Sequence, residues 1–149
     1  MAIFPTRVLL ATDGSPDAEL AAQSAVELCE RTGSELHLVH VGEYLSTVYA
    51  YTEEEPAELR RSAQRLLAEQ VERIRATGAT VAQAHLRLGH PAEQIVNLGE
   101  ELGAGVVVVG SRGLGTLRRA LLGSVSESVI RHAHCPVFVV RADEGTRPA

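Results

Sequence analysis

Two glycine pairs frame the chemistry open to this chain. Gly110-Ser111-Arg112-Gly113 follows the apolar run Val106-Val107-Val108-Val109, and Gly123-Ser124 comes after a gap of nine residues. A buried strand running into a glycine-rich loop and then a helix start is a common way to hold phosphates. Glycine lets the backbone approach an anion closely, and the N–H groups at a helix start, with the helix dipole behind them, favour negative charge. Arg112, Arg118 and Arg119 bring local positive charge to this loop in a chain of net charge −5. A polyphosphate would suit that charge, although exposed arginines are also ordinary solvated surface. Far away in sequence, Asp13 ends the first apolar run, where an Asp before Gly14 is also an ordinary turn residue.

At 149 residues, 45% hydrophobic and 22% charged, the chain fits one domain with a single substantial core. The expected boundaries are one domain over 1–149, with its core at 7–141 and a polar tail at 142–149. The acidic balance argues against broad electrostatic binding to nucleic acid or to an anionic membrane. All 14 basic residues apart from histidine are arginine, and the absence of lysine removes both the P-loop lysine and Schiff-base chemistry. Cys29 and Cys135 read as buried free thiols of a reducing compartment. The first ten residues lack the pattern of a signal peptide. No apolar run approaches the roughly 18 residues of a membrane span. The expected location is cytoplasmic.

Strand and helix patterns alternate along the chain. Strands are expected over 7–12, 35–41, 80–88, 106–109 and 136–140, with helices over about 16–31, 56–76, 91–102 and 125–132. Ser15 can cap the first helix, Pro16 suits its first position, and Gly33 ends it. The first helix carries Ala18, Ala21, Ala22, Ala25, Val26 and Cys29 on one face. Near-continuous apolar strands between helices imply a mostly parallel sheet covered on both faces. Ligands of such sheets bind beyond the carboxyl ends of the strands, where strand order reverses. The ends of the first and fourth strands carry Asp13 and Gly110.

Two familiar nucleotide motifs fail. A P-loop needs Gly-Lys-Ser/Thr, and in the dinucleotide pattern Gly113-Leu114-Gly115 is followed by Arg118 where a glycine or alanine belongs. What remains is Gly-x2-Gly-x9-Gly-Ser after the fourth strand. With Val8-Leu9-Leu10-Ala11-Thr12-Asp13-Gly14-Ser15, Gly89-His90-Pro91-Ala92 and Arg131-His132-Ala133-His134-Cys135-Pro136-Val137, the chain resembles an ATP-binding universal stress protein from about residue 7 to 141. It departs at Gly105, where the family commonly has an aspartate, and at His134, where a proline is common. The first departure is expected to loosen the turn before the fourth strand.

The resemblance implies a three-layer α/β/α fold with a five-stranded parallel sheet in the flavodoxin/Rossmann-like order 3-2-1-4-5 (adenine nucleotide alpha-hydrolase-like). ATP would lie across the ends of strands one, two and four. Ala11, Thr12 and Val41 would border the adenine, and Asp13 would accept hydrogen bonds from the ribose hydroxyls. Gly110, Arg112, Gly113, Gly123, Ser124, Val125 and Ser126 would line the phosphate path, with magnesium or manganese as the ion bridging the phosphates. AMP or cyclic AMP is the alternative ligand, and a nucleotide-independent interaction protein the alternative role. The resemblance also implies a homodimer paired through the edge strand Val137–Val140.

Other features have competing readings. Ser124 with Glu127 fits a capping box, which can coexist with phosphate contact. Tyr44, Tyr49 and Tyr51 either fold over the base or pack a long connection. His132, His134 and Cys135 straddle a helix end and a strand start, a poor arrangement for a metal. His40 reads as a packed, hydrogen-bonded core histidine. No nucleophile, base and orienter assemble in the sequence. The chain therefore reads as a nucleotide-binding stress-response or signalling module with at most slow ATP hydrolysis.

Overall fold

Runs of valine and leucine separated by amphipathic stretches set an alternating strand-helix chain in a computed structural model that describes residues 2–44, 56–111 and 122–141. The elements are β1 (Arg7–Ala11), α1 (Pro16–Thr32), β2 (Glu35–Glu43), α2 (Ala57–Ala76), β3 (Gln83–Gly89), α3 (Pro91–Leu102), β4 (Val106–Gly110), α4 (Ser124–His132) and β5 (Val137–Val140). The strands form one five-stranded sheet in the order β3-β2-β1-β4-β5, and every neighbouring pair is parallel. Among the described residues no helix is long and apolar enough to cross a membrane.

Because side chains alternate along a strand, the central strands feed two cores. Val8, Leu10, Leu36, Leu38, Val106 and Val108 pack against Ala21 and Ala25 of α1 and Val71 and Ile74 of α2. Leu9, Val39, Val41, Val107 and Val109 pack on the other face against Ile95 and Leu98 of α3 and Val129 of α4. Burying one such aliphatic side chain is worth roughly 1.5–3 kcal/mol. The doubly covered β1, β2 and β4 are thus the most firmly held part of the fold.

Helix ends follow local chemistry. Ser15 caps α1, its hydroxyl accepting from the Ala18 N–H at 3.2 Å. Gly33 ends the helix in the left-handed region at φ 71°, which glycine adopts without steric cost. The strands differ from expectation at their ends. β2 runs on to Glu43 because β3 pairs with it as far as Gly89. β3 starts only at Gln83, since Val81 turns into the core below α1 and α2 and Ala82 makes a lone bond to the Leu36 carbonyl.

The turn before β4 is not loosened by Gly105. Its N–H reaches both the Arg7 carbonyl and the Thr6 hydroxyl at 3.1 Å. A Cβ there would stand 2.6 Å from Thr6 Oγ1 and 3.0 Å from Thr6 Cβ. Glycine is thus the residue that lets the N-terminal segment close over this turn.

Both thiols are shielded. Burial, with Glu30 nearby, pushes the Cys29 thiol up to about 11, and burial raises Cys135 as well.

At the amino ends of the strands His37 and His85 stack, with ring centroids 5.6 Å apart and Nδ1 of His37 3.3 Å from Nε2 of His85. His37 Nε2 is buried without a hydrogen-bond partner, 3.7 Å from Glu35 Oε2. Burial, then the charges of His37 and Arg87, hold the His85 imidazole below its usual 6.5, with Glu101 acting against them.

The unfolded chain therefore takes up the His85 proton first as pH falls. This contribution to stability is complete above about 6.5 and is lost as pH drops through the lower folded value. The urea midpoint is expected to fall between about pH 7.5 and about pH 5.5, and less so in His85→Gln. An equal fall in both proteins would contradict the assignment. Gly105→Asp, which restores the family's common residue, is expected to cost about 1–3 kcal/mol in urea unfolding, with Thr6→Ala in the same chain recovering part of it.

Candidate functional site

The carboxyl ends of β1, β2 and β4 surround a cavity of about 420 Å³, closed laterally by α2, α3 and the start of α4. Ala11, Thr12, Asp13, Val41, Gly110, Gly123, Ser124, Val125 and Ser126 all line it, so residues separated by more than a hundred positions meet around one space. Arg112 and Gly113 lie outside the described residues, as do Arg118, Arg119, Tyr49 and Tyr51. Tyr44 is described and donates its N–H to the Gly89 carbonyl at 3.0 Å.

The β1 end is organised by its own hydrogen bonds. Asp13 Oδ1 accepts from the Ser15 N–H at 2.9 Å, the local Asx turn that favours Asp at this position. A carboxylate accepts through two oxygens and can hold several donors at once. The Thr12 hydroxyl accepts from the Gly14 N–H and donates to Gln70 Oε1, both at 3.3 Å. The Thr12 carbonyl meets His40 Nδ1 at 2.8 Å. A carbonyl only accepts, so the His40 proton sits on Nδ1. His40 is thus the buried, hydrogen-bonded histidine that its strand position suggested, and it also lines the cavity.

The α4 end corrects the capping-box reading. Gly123, extended at φ −66° and ψ 158°, occupies the cap, and no side chain caps the helix. Ser124 is already the first helical residue, one position too late for its hydroxyl to close a box with Glu127. Ser126 Oγ donates inside the loop, to the carbonyls of Ser111 at 2.8 Å and Gly123 at 3.1 Å. Its hydroxyl hydrogen is therefore committed there. What α4 brings to the cavity wall is its first turn, Ser124 to Ser126, with glycine at the cap.

Several contributors carried no sequence signal. Gln70 joins the wall through Thr12, 58 positions away, and α2 supplies Leu59, Ser62 and Leu66. Asp17 sits buried in the first turn of α1, where acids are common for dipole reasons. Nothing in its spacing announces its partner, Ser111 Oγ at 2.8 Å.

Outside the cavity, His132 Nδ1 turns to the Ser128 carbonyl at 2.9 Å, and His134 Nε2 meets Glu100 Oε1 at 2.7 Å. Cys135 packs with the core under α3 and α4. The three groups serve different partners. Among the described residues no set of three histidine, cysteine, aspartate or glutamate side chains could hold a metal ion.

Comparison with known proteins agrees with this architecture. A model of the universal stress protein family matches residues 5–141. A Staphylococcus haemolyticus protein named for that family is 34% identical over 140 residues, spanning 92% of this chain and 85% of its own. A universal stress protein solved in complex with cAMP superposes with a TM-score of 0.73 at 25% identity, covering 93% of this chain and 98% of that one. The universal stress protein of Archaeoglobus fulgidus in complex with dAMP gives 0.65 at 25% identity, covering 93% and 99%. With its sheet order, its glycine motif and a match over nearly its whole length, the chain belongs to the universal stress protein family.

Proposed function

We propose that the cavity holds an adenine nucleotide, with ATP as the preferred ligand, and that occupancy makes this protein a nucleotide-dependent stress-response module. The observation that carries the reading is the start of α4. The first turn of α4, with glycine at its cap, lines the same cavity as the carboxylate of Asp13. The first suits phosphate and the second sugar hydroxyls, in a space within the range of ligand pockets. Ala11 and Val41 supply an apolar rim for the base. Relatives solved with cAMP and dAMP support an adenine nucleotide in general, and they keep a monophosphate ligand as the second reading. Gly110, Gly123, Ser124, Val125 and Ser126 form the phosphate wall in this proposal, joined by Arg112 and Gly113. Magnesium or manganese would arrive bridging the phosphates. No general base stands in a catalytic arrangement among the described residues, so any hydrolysis is slow.

Calorimetry with ATP, AMP, cyclic AMP and GTP, with and without magnesium, tests the ligand. ATP is expected to bind most tightly, and Asp13→Ala to weaken it about tenfold or more, the loss of a charge-assisted hydrogen bond. Undetectable binding of every adenine nucleotide would sink the proposal, and tighter AMP or cyclic AMP would favour the second reading.

We also propose a homodimer formed by antiparallel pairing of β5. This strand lies at the sheet edge with Phe138 47% exposed, and an unpaired apolar edge invites a second strand. The Pro136 and Val140 carbonyls accept from Val107 and Ser111 of the β4 side. The alternation of a parallel ladder then turns the Val139 N–H outward. Val139→Pro thus removes an outward donor and leaves the β4 ladder in place. Light scattering is expected to give a monomer or aggregate, and an unchanged dimer would refute this interface.

A further inference from the structure

Ser111 joins the two halves of the glycine motif to the rest of the fold. Its N–H donates to the Val140 carbonyl at 2.9 Å, and its carbonyl accepts the Gly123 N–H at 2.7 Å. The same carbonyl accepts Ser126 Oγ at 2.8 Å. Its hydroxyl donates to Asp17 Oδ2 at 2.8 Å, across 94 positions of sequence. Asp17 and Ser111 are 6% and 2% exposed, so the bond is sheltered from water.

Gly110 presses on the same place. A Cβ there would stand 2.9 Å from the Asp17 carbonyl carbon and 3.0 Å from its oxygen. With glycine at its cap, α4 is tied at its first turn to the Ser111 carbonyl by the Gly123 N–H and the Ser126 hydroxyl. Ser111 in turn is held by Asp17.

We propose that Asp17 is a positioning residue for the phosphate half of the site. Acting through Ser111, it holds the turn at Gly123, Ser124, Val125 and Ser126 at the separation from the Asp13 turn that a nucleotide's phosphate chain requires. This rests on the nucleotide reading above. A carboxylate buried near an anion site is an unfavourable choice for mere filling. The first turn of α1 is where acidic side chains are favoured, and from there Asp17 reaches the Ser111 hydroxyl. The base and sugar half is built from β1 and β2, and none of the bonds just described reaches it. The residue therefore separates two parts of one ligand.

The test compares ATP with adenosine in the full chain, using calorimetry for ATP and NMR titration to millimolar concentration for adenosine. Asp17→Ala and Ser111→Ala are expected to weaken ATP about tenfold and to change adenosine affinity less than about threefold. Asp17→Asn keeps an acceptor for the Ser111 hydroxyl and is expected to retain most of the ATP affinity. The double variant Asp17→Ala with Ser111→Ala removes donor and acceptor together. Because the Ser111–Asp17 bond is lost in all three, it should lose less ATP affinity than the two single losses added together, and it serves where Ser111→Ala alone unfolds. Equal losses for ATP and adenosine in folded variants would reduce Asp17 to a purely structural role and overturn the proposal. Unchanged ATP affinity would overturn it too. Wild-type protein that binds neither ligand would remove the nucleotide reading itself, a failure visible before any variant is made.

Discussion

The reversal of strand order at β1 is the constraint on which the remaining structure depends. From β1 the chain moves outward to β2 and β3, with α1 and α2 over one face, and then crosses back to β4 and β5, with α3 and α4 over the other. Right-handed crossovers enforce this division of the helices. The helices that follow β1 and β4 therefore lie on opposite faces, and the crevice falls between the ends of these strands. Asp13 and Gly110 stand on either side of it because they end adjacent strands.

The base of the crevice is set by the core. β1 and β4 register through Val8 with Val106, Leu9 with Val107 and Leu10 with Val108, all buried, so the spacing of the two strand ends is fixed by core packing. The wall mixes small residues such as Ala11, Ser62 and Gly123 with the larger Leu59, Leu66 and Ile95. Where the wall needs polarity, the protein uses local bonds, as in the chain from the Gly14 N–H through the Thr12 hydroxyl to Gln70. Among the described residues no buried side-chain nitrogen or oxygen near the cavity lacks a partner. The orphaned ring nitrogen of His37 lies at the opposite end of the strands.

Periodicity and punctuation made the fold legible. The valine run of β4, the Ser15-Pro16 start of α1 and the bounds of α3 are local patterns, and the structure repeats them closely. The cavity's rim was also readable, because strand ends in such a sheet are where ligands gather. Local reasoning failed where a tertiary partner decided the outcome. Val81 looked like strand and became a core anchor, and Gly105 looked like a weakness and became a contact with Thr6. The Asp17–Ser111 bond had no sequence signature, because either residue alone is ordinary at its position. Ser124 and Glu127 had the correct capping spacing, but Gly123 took the cap first.

The shielding of the two cysteines bears on how a protein of this family meets oxidants. Peroxide and disulfide chemistry begin from the thiolate. With its thiol at about 11, Cys29 presents a thiolate fraction on the order of 10⁻⁴ at neutral pH. Cys135, raised in the same direction, does not stand in as a resolving partner, because the two side chains belong to cores on opposite faces of the sheet. Burial thus favours the protonated form of both thiols, the form that reacts least readily with oxidants.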